Sequence, residues 1–204
     1  GATLNLSGTG DKQIFQRTLN NFGTTNVTTT GNGHLTLRDQ ATFNNQAGAL
    51  FHQQTDTDIL HSAGPNNFNN AGTFRKTGAG DCMVGAPGNG LTFNNTGLME
   101  LLGGSVTVSG PIQFIHTAGT TLLNGGGLVF GATGQFQGGL LTGVGTITGN
   151  VNNSGATVAP GLSPGGLTIT GNYTQGANGT LALELGGLTA LTEFDRLAVN
   201  GAAT

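Results

Sequence analysis

Two carboxylates and two imidazoles fall close together in His52-Gln53-Gln54-Thr55-Asp56-Thr57-Asp58-Ile59-Leu60-His61. On an extended strand alternate side chains share a face, so His52, Asp56 and Asp58 would project together. Carboxylates two positions apart beside an imidazole could hold a cation or poise a general acid–base pair. Thr-Asp-Thr-Asp is also ordinary turn chemistry, and a polar loop is the favoured reading. His52, Asp56, Asp58 and His61 are therefore the metal or acid–base candidates. Glu184, Glu193 and Asp195 form a second acidic group with Arg196 as their basic neighbour, which points to a structural role.

Between Leu101 and Leu183 the sequence has no Asp, Glu, Lys or Arg. His116 is the one titratable imidazole in that stretch and reads as structural. Arg75-Lys76 and Arg38-Asp39 read as solvated corners. Cys82 lies in the apolar run Cys82-Met83-Val84 and reads as a small buried residue, with no second cysteine to pair with. No P-loop, GxSxG, HExxH or CxxC motif occurs. The expectation is a non-enzymatic protein with no cofactor.

What must position these residues is legible in the spacing. The phrase Leu19-Asn20-Asn21 returns as Phe43-Asn44-Asn45, Phe68-Asn69-Asn70 and Phe93-Asn94-Asn95 at a nearly constant step. It returns once more, well downstream, as Val151-Asn152-Asn153. A fixed period of this kind marks stacked repeats. Short runs at 3–6, 34–37, 105–109, 128–130, 145–148, 167–170, 180–185 and 196–199 carry strand character, many alternating apolar with small polar residues. Glycine, 39 of 204 residues, punctuates them without a Gly-X-Y triplet, so collagen is excluded.

Stacked coils bring equivalent residues into vertical register about 4.8 Å apart. Asn21, Asn45, Asn70, Asn95 and Asn153 are then expected to form a corner ladder that passes hydrogen bonds along the column. Leu19, Phe43, Phe68, Phe93 and Val151 would form a stacked apolar column beside it. The reading is an all-β, single-stranded parallel β-helix (β-solenoid) of about 22–25 residues per coil. Residues 1–204 make one domain of roughly eight or nine coils, with a change of cross-section near residue 103.

Only 7% of residues are charged, against roughly 25% in typical domains. No basic stripe suits nucleic acid, and no apolar run is long enough for membrane insertion. The chain opens at Gly1-Ala2-Thr3 without a charged start, as a mature product or an excerpt would.

A more specific signature lies near the end. Ala159-Pro160-Gly161-Leu162-Ser163-Pro164-Gly165-Gly166-Leu167-Thr168-Ile169-Thr170-Gly171-Asn172-Tyr173-Thr174-Gln175 is followed by Gly179-Thr180-Leu181-Ala182-Leu183-Glu184-Leu185 and by Phe194-Asp195-Arg196-Leu197-Ala198-Val199-Asn200-Gly201. This text resembles the β-helical passenger or stalk region of bacterial autotransporters and related large surface adhesins. The resemblance implies a right-handed coil, an extracellular or bacterial cell-surface location, and a role as stalk, adhesin or filament. It carries no catalytic residue. Expected partners are copies of the chain or adjoining repeats stacked end to end, and host or surface glycans.

Two other functions compete. Some parallel β-helices are carbohydrate-active enzymes, for which Asp56 and Asp58 would be the carboxylates. The pairs Thr146/Thr148 and Thr168/Thr170, one coil apart, could start an ice-binding threonine ladder.

Overall fold

In this computed structural model, residues 1–85, 90–109 and 113–204 are described. The alternation in the short runs decides the architecture: each strand sends every second side chain inward, and strands of successive coils stack in parallel. The protein is an all-β parallel solenoid of about seven turns. Among the described residues every regular element is a strand.

Each coil contributes to three faces. The first face runs from Thr3–Gly8 to Thr180–Leu181, the second from Lys12–Phe15 to Arg196–Val199, and the third from Thr18–Asn21 to Tyr173–Gln175. The third face is an eight-stranded sheet of its own. The other two merge because Leu140–Thr148 runs through the corner between them, pairing first-face neighbours through Leu140 and second-face neighbours through Ile147. The later coils are shorter: the turn that carries Leu140 to Thr157 uses far less chain than the one that carries Thr73 to Leu98. Gly143, at φ 110°, lets the chain cut that corner; a Cβ there would lie 1.9 Å from the Leu123 carbonyl oxygen.

The core is a pair of interleaved phenylalanine stacks. Phe43, Phe68 and Phe93 stack with ring centroids 5.0 and 5.1 Å apart, tilted by 8° and 3°. Phe51 and Phe74 stack at 5.4 Å on the first face and meet the other stack edge-on at 5.0–5.8 Å. Parallel ladders bring identical side chains together, so stacking within a column and edge-to-face packing between columns both arise. Leu19 sits half-buried beneath Phe43, and Val151 is buried beneath Tyr173. Between Phe114 and Val151 the column has Gly134, where the Phe130 ring from the second face fills the space a Cβ would need.

Two features differ from the sequence reading. The run 180–185 reads as one strand, but the strand ends at Leu181. The chain then leaves the coil, because the Asp195 carboxylate takes the Glu184 amide and Leu185 bridges antiparallel to Phe194. That excursion consumes residues 182–195 without adding a turn, which accounts for fewer coils than length implies. The threonine ladder also stops at two rungs. Thr146 pairs with Thr168, but Ala198 follows Thr168 and Val129 underlies Thr148.

Candidate functional site

The cluster around residues 52–61 does not stay on one strand. Leu50–Gln53 forms the first-face strand and Ile59–Ser62 the second-face one, so His52, Asp56 and Asp58 all stay outward as their parity predicts but are spread around the corner between two faces. His52 points outward from the first face and bonds the Thr77 hydroxyl at 3.0 Å. Burial, then the nearby Arg75 charge, lowers its pKa. Asp58 accepts the Met83 amide at 2.8 Å and lies 3.6 Å from His34. His61 points inward on the second face, beside Leu37. Among the described residues no group of three or more His, Cys, Asp or Glu could hold a metal. The candidate cation or acid–base cluster is therefore dispersed by a corner that residue spacing alone does not reveal, and Thr55 to Asp58 lie in the polar loop that the sequence favoured.

Asp56 belongs to a different group. Its Oδ1 accepts the Gly80 amide at 2.8 Å and the Lys76 ammonium at 3.3 Å. Lys76 is fully buried, contrary to the solvated corner expected, and also donates to the Gly78 carbonyl. Its parity with Phe74 is the available signal: position 76 faces inward wherever position 74 does. Arg75 faces outward and pairs with Glu100 at 2.6 Å. A Cβ at Gly78 would lie 2.7 Å from both Asp56 Oδ1 and Lys76 Nζ and 2.9 Å from the Thr55 carbonyl carbon, so a side chain there would displace the ion pair. Beside the pair opens a cleft of about 410 Å³ lined by Thr29, Thr30, Gln54, Thr55, Asp56 and Thr57, with glycines and Ala79 at its rim.

The asparagine phrases build two ladders. On the inside, Asn21 donates to Asn45 (2.8 Å), Asn45 to Asn70 (2.7 Å) and Asn70 to Asn95 (2.7 Å). The second amide hydrogen reaches the carbonyl of Leu50, Thr73 or Leu98 at 2.9–3.0 Å, tying the third face to the next coil's first face. Outside, the direction reverses: Asn44 donates to Asn20, Asn69 to Asn44 and Asn94 to Asn69, each at 2.8 Å. Opposed amide dipoles in adjacent columns offset one another.

His116 ends the inner ladder. Its Nδ1 accepts from Asn95 at 2.9 Å, and burial lowers its pKa to about 4, keeping the imidazole neutral as an acceptor must be. Phe136 occupies the next rung, so Asn153 shares the column but not the chain of bonds. Asn153 instead accepts the Ala156 amide and donates to the Tyr173 hydroxyl. Asp195 is likewise structural: it clamps the amides of Gly165 and Glu184, both at 2.9 Å, joining the Pro-Gly-rich turn to the Asp-Arg strand. Cys82 is buried, and burial pushes its thiol pKa to about 12.

No family model matches the chain, and no solved structure matches it. A curated relative is an uncharacterized protein, YuaQ, of Escherichia coli (strain K12), 30% identical over 167 residues. The similarity covers 80% of this chain but 10% of that relative, so the chain spans about a tenth of the relative's length.

Proposed function

We propose that the chain is a non-enzymatic segment of a bacterial surface rod, acting as a stalk or adhesin that continues end to end through further β-structure. The observation that carries this reading is the continuous parallel ladder: on all three faces successive coils pair in register along one axis, a geometry that extends by adding coils. The charge-free sector from Leu101 to Leu183 leaves that part of the rod without a carboxylate or a cation for chemistry. Further coils of the same kind would suit a protein as long as the relative.

The dispersed carboxylates favour a structural part over hydrolysis, and the two-rung threonine pair is too short for a crystal-matching face. Antibodies raised against this segment test the location. Labelling of intact producing cells is expected, with rod-like projections in negative-stain images. Labelling only after lysis would overturn the surface assignment.

A further inference from the structure

Among the described residues asparagine precedes glycine at Asn32-Gly33, Asn124-Gly125, Asn178-Gly179 and Asn200-Gly201. This dipeptide is chemically labile, because a glycine nitrogen, with no Cβ beside it, meets little steric resistance in closing on the preceding side-chain amide. In a folded chain the outcome depends on what that N–H is doing. An amide held in a backbone hydrogen bond must first be released by local opening.

The fold treats these pairs differently. Gly33 donates to the Thr30 carbonyl at 3.1 Å, Gly179 to Gly176 at 3.0 Å and Gly201 to Gly171 at 3.1 Å. Among the described residues Gly125 has no acceptor for its N–H. Asn124 ends the strand Thr120–Asn124, and Gly125 turns at φ 94°, which takes its N–H out of the ladder. Gly126 then rejoins the stack by donating to the Leu101 carbonyl at 3.1 Å. The Asn124 side chain is exposed and makes no hydrogen bond to the described residues. Glycine is hard to replace at this corner: its φ is positive, and a Cβ at Gly125 would lie 3.1 Å from the Leu102 carbonyl oxygen. The conformation that the corner requires is therefore the one that frees the nucleophile.

From this arrangement we propose that Asn124 is a site of spontaneous covalent modification in the folded rod, converting to aspartate and isoaspartate ahead of the other Asn-Gly pairs. Hydroxide takes the Gly125 N–H proton, and the nitrogen forms a bond to Asn124 Cγ. The bond from Cγ to the side-chain nitrogen breaks, and that nitrogen leaves as ammonia with a proton from water. Water then opens the five-membered imide and the Gly125 nitrogen regains its proton. Breaking the new bond to Cγ gives aspartate; breaking the original bond to the Asn124 carbonyl carbon gives isoaspartate, with one extra backbone carbon. Either product places a negative charge in the sector from Leu101 to Leu183, which has none. That charge arises beside Val144, the partner of Asn124 on the next coil, which is 45% exposed. Isoaspartate also lengthens the chain just before Gly126, so the bond to Leu101 should loosen. The modification does not depend on the stalk reading.

Peptide mapping by tandem mass spectrometry after ageing the purified chain in mildly alkaline buffer tests the proposal, with electron-transfer fragmentation separating isoaspartate from aspartate. Conversion at Asn124 is expected to run about tenfold faster than at Asn32, Asn178 or Asn200, whose glycine amides must first be released. In urea, where no fold protects any of them, the rates should converge. Asn124→Gln, which alters an exposed side chain, should remove the early phase of ammonia release. Conversion at Asn124 no faster than at the other pairs, a lead that persists undiminished in urea, or early ammonia release that survives Asn124→Gln would each overturn it.

Discussion

Protonating His116 would turn the acceptor that ends the inner ladder into a second donor facing the Asn95 amide. Its folded pKa, about 4, lies below the ordinary 6.5, so the unfolded chain binds the proton more readily. Stability from this residue is therefore complete above about pH 6.5 and lost as pH falls toward about 4, by up to roughly 3 kcal/mol. Urea midpoints measured across that window should fall, and His116→Asn should flatten the decline. Lys76 makes a second test. Asp56→Ala leaves a buried ammonium short of its counter-charge and should destabilise by about 3 kcal/mol, whereas Lys76→Met with Asp56→Ala should recover most of that loss. Equilibrium unfolding of the two variants checks the difference. The double variant matching the single one would show that the pair contributes little.

Asparagine carries different weights on the two ladders because one is inside. Asn70 is buried, and Asn70→Leu strands donors or acceptors on Asn45, Asn95 and the Leu98 carbonyl, at a cost of about 3 kcal/mol or more. Asn69 is half-exposed, and water replaces its partners, so Asn69→Leu should cost under about 1 kcal/mol. Thermal unfolding of the pair measures the contrast; equal losses would contradict the inside–outside assignment. Phe68→Ala should cost roughly 3–5 kcal/mol by opening the ring stack. The ladder and the stack are legible in the sequence because their phrases recur at coil length with unchanged residue types. Where the column changes identity, at His116, Phe136 and Gly134, the pattern no longer marks it, though register continues. The Asp56 corner is hidden for a different reason: inside–outside alternation continues through Gln54–Asp58, but the chain turns there, so outward side chains of like parity lie on different faces. At Lys76 the charge suggests solvent, but parity with Phe74 decides its direction. The run 180–185 alternates like a strand, and the Asp195 carboxylate, distant in sequence, pulls its second half out of the coil.

At the scale of the whole molecule, an uncharged sector from Leu101 to Leu183 and continuous backbone ladders predict slow unfolding with weak salt dependence. The molecule is a rod whose length grows by adding coils and whose width does not. Under the proposed stalk reading, pairing along the axis is the expected mode of association, because the backbone ladders run only in that direction. Small-angle X-ray scattering over a concentration series measures that most directly. A constant cross-sectional radius, with length increasing in steps of one solenoid as concentration rises, is the predicted result. Thickening of the cross-section with length unchanged, or a particle that stays a single short solenoid at every concentration, would contradict the account.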